Sequence, residues 1–194
     1  MDLQERVYSV LIISSSDKFS LAIKGLLPDF RYKPVRIETS INAARRAILE
    51  RDYDFIIVSS PLPDEDGIDF SIDVCCGKSS ITLLFVKKEF YDAAYSKVSA
   101  HGVFTLPKPV SSNTVNQALD WMSSTRERLR KLEKKTVSLE DKMAEIRIVN
   151  RAKWILIDQL KMTESDAHRY IEKLSMDRCI SKKCVAENII KTYS

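Results

Sequence analysis

Two stretches hold the residue types from which phosphoryl chemistry could be built. Ser59-Ser60-Pro61-Leu62-Pro63-Asp64-Glu65-Asp66-Gly67 ends an apolar run, and Lys108-Pro109 ends another. A serine hydroxyl is a poor nucleophile unless a base activates it, and a divalent cation needs carboxylates to hold it against a phosphate. The only histidines, His101 and His168, lie far apart in the chain, and neither has a serine or cysteine beside it in a nucleophile motif. Cys75 and Cys76 are adjacent, while Cys179 and Cys184 have no histidine near them to complete a metal site, so neither structural zinc nor a disulfide framework is expected. With only 4 glycines there is no G-x-x-x-x-G-K-[ST] loop and no G-x-G-x-x-G turn. The expectation is a protein that is not an enzyme and carries no cofactor or metal.

The elements that would position these residues follow from hydropathy. Short apolar runs at 10–13, 35–39, 55–59, 82–86 and 102–106 alternate with amphipathic stretches at 19–27, 41–51, 69–75 and 91–100, and a further helix follows Pro109. Alternation of this kind winds strands into a parallel sheet covered by helices on both faces, and five of each predicts an α/β, flavodoxin-like doubly wound fold. From Asn113 onward Gly and Pro vanish, charge rises and apolar residues recur at spacings of three and four, which predicts one long helix. Leu129, Leu132, Thr136, Leu139, Met143, Ile146 and Asn150 fit successive a and d positions of a coiled coil, with Asn150 the kind of polar a residue that fixes register, so a homodimer is expected. Beyond it, Thr163 and Ser181 read as N-caps of two more helices. Ala167, Ile171, Leu174, Val185, Ile189 and Ile190 give those helices apolar faces to pack on Trp154, Ile155 and Leu156. The expected organisation is 1–122 as an α/β domain, 123–150 as a coiled-coil helix, and 151–194 as a small all-α three-helix domain whose first helix continues the coiled coil.

Charge divides the same way. Residues 123–194 carry 17 Lys and Arg against 11 Asp and Glu, a net of +6, whereas the remainder nets −2. A basic tail suits a polyanionic partner, although a charge run is more often only a solvated face. No apolar run approaches the length of a membrane span, and the start MDLQERVYSVLII mixes acids and bases where a secretory leader is basic and then apolar. A cytoplasmic protein with no membrane partner is expected.

The turn ending at Gly67 and the Lys108-Pro109 pair resemble the receiver domain of two-component response regulators over about residues 7–122. In that family an aspartate four residues before the proline of the turn accepts the phosphoryl group, an acidic pair after the first strand holds Mg²⁺, and a Ser or Thr follows the fourth strand. Here those positions fall on Ser59, on Ser14 and Ser15, and on Lys87, so that Lys108 alone is retained. Asp17 could stand for the acidic pair only if the first strand ended later. Asp54, which opens a strand, and Asp66, inside the turn, are not substitutes for the acceptor. The resemblance therefore implies a degenerate pseudo-receiver, controlled without phosphorylation by a protein or small ligand, with Lys87 and Lys108 either binding an anion or merely lying close.

The blocks Arg151-Ala152-Lys153-Trp154-Ile155-Leu156, Thr163 to Tyr170, and Leu174-Ser175-Met176-Asp177-Arg178, with Ala186 after them, resemble the ANTAR domain of transcription antiterminators over roughly 140–194. That resemblance implies a dimer that binds paired stem-loops in nascent mRNA and keeps a terminator hairpin from forming. Arg151, Lys153, Arg169, Tyr170, Lys173 and Arg178 are the candidate RNA contacts. Lys182 and Lys183 join them, because cations at a helix start are unfavourable unless an anion binds there. Tyr170 and Trp154 at helical spacing fit core positions more readily than base platforms, and Ala152, Ala167, Leu174, Ser175 and Ala186 are expected to pack helices together. The competing functions are a DNA-binding response regulator, with a turn between the last two helices, and a phosphorylatable receiver carrying a protein-interaction tail.

Overall fold

The computed structural model describes residues 6–77 and 79–193. Five parallel strands, β1 (Tyr8–Ile13), β2 (Tyr32–Glu38), β3 (Phe55–Ser59), β4 (Ile81–Lys87) and β5 (Phe104–Lys108), lie in the order β2-β1-β3-β4-β5. Helices α1 (Asp17–Gly25), α2 (Ile41–Glu50), α3 (Ile68–Gly77) and α4 (Tyr91–Val98) connect them, and α5 (Ser112–Leu160), α6 (Glu164–Arg178) and α7 (Lys182–Tyr193) follow. This is the expected flavodoxin-like sheet with further helices after it. Among the described residues no helix is long and apolar enough to cross a membrane. The chain divides into two compact units, Met1–Arg130 and Lys131–Ser194, with α5 contributing to both.

In the first unit the central strands read as unbroken apolar runs because helices cover both of their faces. Leu11, Ile13, Ile56 and Val58 pack on one face with α2, α3 and α4, while Val10, Ile12, Phe55 and Ile57 pack on the other with α1 and the start of α5. Burying each such side chain contributes about 1.5–3 kcal/mol. Val115, Ala118, Leu119 and Met122 recur at helical spacing and form the buried stripe of α5 on that second face. Gly67 closes the turn after β3 with φ +77, and a Cβ there would meet Val58 Cγ1 at 2.8 Å. The fifth strand starts later than its apolar run suggests: Gly102, at φ +80, still belongs to the turn, and pairing with β4 begins at Phe104.

Residues 123–130, placed above with the coiled coil, are committed to the first unit. Leu129 lies partly buried on its core, and Arg126 and Arg130 both bind Asp54. Leu129 thus packs within its own chain, which removes it from a free dimer seam. Further along α5, Leu132, Leu139, Met143, Ile146 and Asn150 are exposed.

In the second unit Ala152, Leu156, Ala167, Ile171, Val185, Ala186 and Ile189 form the core, bordered by Ile155, Leu174 and Ile190. Thr163 caps α6 by accepting the Asp166 amide at 3.2 Å. Asp166 carries a shorter side chain than the Glu or Gln usual at its position, and it accepts the Thr163 hydroxyl at 2.7 Å. Ser181 caps α7 by accepting the Cys184 amide. Trp154 does not join this core: it is 71 % exposed, because α5 turns its Ala152 and Leu156 face inward and Trp154 falls on the opposite side. Tyr170 is exposed as well, so the core role open to both aromatics in the sequence is not the one they take.

Candidate functional site

The first candidate site lies at the carboxyl ends of the strands, where open α/β sheets bind their ligands. β1 ends at Ile13, so Ser14 and Ser15 do follow it directly. Ser14 is buried and its Oγ accepts the Ser16 amide at 3.1 Å, Ser15 is exposed, and Asp17 is an exposed residue opening α1. Ser59 closes β3 and is buried; Lys108 closes β5 and reaches across β4, donating to Ser59 Oγ at 3.1 Å and to the Ser60 carbonyl at 2.5 Å. Burial, and then the nearby Lys87 charge, push the Lys108 ammonium below the usual lysine range. Lys87 itself points outward and sits 3.8 Å from Glu89.

The carboxylates of the turn are used locally. Asp64 accepts the Asn42 and Ile41 amides at the start of α2, which holds its carboxyl below the usual range, and Asp66 accepts the Ile68 amide. The residues at the Mg²⁺ position of a receiver are therefore Ser14 and Ser15, whose hydroxyls supply no carboxylate and do not fit that ion. Asp54 lies at the opposite end of β3, bound by the Ser9 amide, Arg126 and Arg130. It is a structural anchor for α5.

The second candidate site is the surface of the helical unit. Arg169 and Lys173 stand one turn apart on the outer side of α6, opposite the buried Ala167 and Ile171; Tyr170 lies between them and Arg178 ends the helix, all exposed. Arg151 is exposed on α5. Lys153 is largely buried, and its Nζ pairs with Glu164 at 3.1 Å. The unfavourable cations at the start of α7 have an answer inside the protein: Lys182 binds Glu172 at 2.5 Å, and His168 approaches the same oxygen at 3.3 Å. The Lys182 hydrogen bond and charge, with His168, hold the Glu172 carboxyl below its usual range. Lys183 is exposed and faces Lys134 and Lys142 of α5 across a shallow groove that also contains Asp141 and Glu145. Arg147, Trp154 and Tyr193 share a second groove with Arg151; the sequence already offers Trp154 as a base platform, but neither composition nor the motif blocks singled out Arg147 or Tyr193. The inward spacing of Ile148, Ala152 and Ile155 was the available signal, since it leaves Arg147, Arg151 and Trp154 outside.

Residues 138–190 match the ANTAR domain. The transcriptional regulatory protein PdtaR of Mycobacterium tuberculosis is 27% identical over 139 residues, covering 72% of this chain and 68% of that protein. The chain joins a receiver fold to an ANTAR domain. The receiver part is supported by solved structures: the signal receiver domain of an HD domain-containing protein from Pseudomonas fluorescens Pf-5 (TM-score 0.58, 17% identity, covering 68% of this chain and 96% of that one), and a CheY-like receiver domain from Methylobacillus flagellatus (TM-score 0.52, 19% identity, 60% and 98%). At these identities the likeness is one of fold. The matched ANTAR segment takes in the later turns of α5, all of α6 and most of α7, so Arg151, Arg169, Lys173, Arg178 and Lys183 fall within it.

Proposed function

We propose that this protein is a cytoplasmic transcription antitermination regulator that binds paired stem-loops in nascent mRNA as a homodimer and turns over no substrate. The observation that carries the proposal is the ANTAR match on a helical unit with an outward cationic set, Arg151, Arg169, Lys173, Arg178 and Lys183, in front of an intact core. Cations of this kind take phosphates, and unpaired loop bases offer faces and edges that a duplex hides. Lys153 and Lys182 are engaged with Glu164 and Glu172, so their part is to set helix positions unless RNA displaces the carboxylates.

Dimerisation through Leu132, Leu139, Met143 and Ile146, with Asn150 fixing register, would present two ANTAR domains to two adjacent stem-loops. The second contact then forms at high effective concentration. The receiver fold acts here as a pseudo-receiver: with Ser59 in place of the acceptor and Lys108 already bound to it, control passes to a protein or small ligand that favours one arrangement of the chain. The test is binding of the full chain to an RNA with two adjacent hexanucleotide-loop stem-loops, beside a loop-scrambled RNA and duplex DNA, at two salt concentrations. Loop-dependent binding that weakens in Arg169→Ala, with the salt slope falling by about one, is expected. Equal binding to all three nucleic acids would reduce the tail to a nonspecific basic patch.

A further inference from the structure

Trp154 is the most exposed large apolar side chain of the second unit among the described residues. It does not stand alone. It lines an open groove of about 540 Å³ with Arg147, Asn150, Arg151, Ile155, Asp158 and Gln159 of α5 and Tyr193 of α7. An indole held in water by a protein that has an apolar core available two residues away is an unfavourable placement, and the flanking groups make this face a poor copy of a dimer seam. Two guanidiniums, two amides and a carboxylate line the groove with the ring, and Ile155 is its one aliphatic side chain, whereas the apolar residues suited to a seam, Leu132 to Ile146, lie earlier on the helix and reach this face only through Asn150.

The groups are also ordered along the helix. Arg147, Arg151, Trp154 and Asp158 fall at helical spacing on one side of α5, and seven residues of helix put Asp158 about 10 Å beyond Arg151. The cations occupy one end, the ring the middle, and the carboxylate with Gln159 the other end. We infer that this groove holds one unpaired loop nucleotide of the RNA: its phosphate on Arg147 and Arg151, its base stacked on Trp154 with Tyr193 beside it, and an exocyclic amino group of the base donating to Asp158. Asp158 repels a phosphate and accepts from an amino group, so it sets the direction in which the nucleotide lies. This deepens the antiterminator proposal and rests on it.

The experiment measures affinity of full-length wild type, Trp154→Ala, Trp154→Phe and Arg151→Ala for the two-stem-loop RNA and its loop-scrambled control across a salt series, with oligomeric state followed by sedimentation. Trp154→Ala is expected to weaken binding to the looped RNA by roughly 5- to 150-fold, the worth of one stacked base, with an unchanged salt slope. Trp154→Phe should recover most of that loss, and Arg151→Ala should instead lower the slope by about one. Loops made only of uracil, which still stacks but lacks the amino group, should bind wild type more weakly than loops with amino-bearing bases and should weaken again in Trp154→Ala. If wild type prefers the looped RNA and Trp154→Ala keeps the whole preference, the groove is not a nucleotide site, although the antiterminator proposal stands. If wild type shows no loop preference, both fall. If Trp154→Ala turns a dimer into a monomer, the occupant is a second copy of the chain and the nucleotide assignment is overturned.

Discussion

Replacing Asp54 with Asn should destabilise the first unit while leaving its packing in place. The carboxylate sits at the amino end of β3 with its side chain only 13 % exposed, accepting Arg126 Nε at 3.0 Å and Arg130 Nη2 at 2.7 Å on one oxygen and the Ser9 amide at 3.0 Å on the other. Asn can still accept from Ser9, but it removes the charge that drew the Arg126 and Arg130 guanidiniums together, while Arg130 retains the Glu127 carboxylate at 3.1 Å. Two hydrogen bonds to charged groups, discounted because Arg130 keeps solvent access, amount to about 3 kcal/mol. In a unit of this size that corresponds to a fall of roughly 10 °C in melting temperature. Burial raises the Asp54 pKa, but the Ser9 amide and the two arginines outweigh it, so the folded value lies below the ordinary one. A depressed folded value means stability that is present above the unfolded pKa, about 3.9, and lost as pH falls through the folded one. The gap between wild type and Asp54→Asn should accordingly be constant from pH 8 to 5 and shrink below about pH 4. Thermal unfolding followed by circular dichroism at pH 7 and along the acid limb measures both. A variant melting within 2 °C of wild type, or a gap that persists undiminished at the acid end, would refute the account of Asp54 as the charged anchor of α5 (thresholds about as wide as ordinary scatter).

Three other outcomes are expected. Incubation with acetyl phosphate and Mg²⁺ should leave the intact mass unchanged, and Ser59→Asp alone should not alter this, because Ser14 and Ser15 supply no carboxylate for the cation; a gain of one phosphoryl group would overturn the pseudo-receiver assignment. Glu172→Gln releases Lys182 from its ion pair, so the salt slope of RNA binding should steepen by about one; an unchanged slope would show that the ammonium stays away from phosphate. Met143→Asp together with Ile146→Asp places charges on the exposed seam of α5 and should give a monomer by sedimentation, with affinity for the two-stem-loop RNA falling by roughly 10²- to 10⁴-fold as avidity is lost. A dimer that survives both substitutions would move the interface elsewhere.

Much of this protein is legible along the chain. Apolar runs such as Phe55–Ser59 specify buried parallel strands because both faces must be covered, and the replacement of an acceptor aspartate by Ser59 is visible from its distance to Pro63 alone. Thr163 and Ser181 mark helix starts because the hydroxyl-to-amide geometry of a cap is local. These features depend on neighbours a few residues away. What only the tertiary structure decided are pairings across many residues and the direction in which a helix turns. Lys108 finds Ser59 only because β5, β4 and β3 are adjacent in the sheet. Leu129 fits a heptad as well as Leu132 does, yet the core of the first unit takes it, since the Asp54 ion pairs hold that stretch of α5 against the sheet. Trp154 and Leu156 are both large and apolar and lie two residues apart, so hydropathy cannot separate them. The helix places them about 200° apart, and the packing of α6 and α7 on one side settles which is core and which meets the solvent.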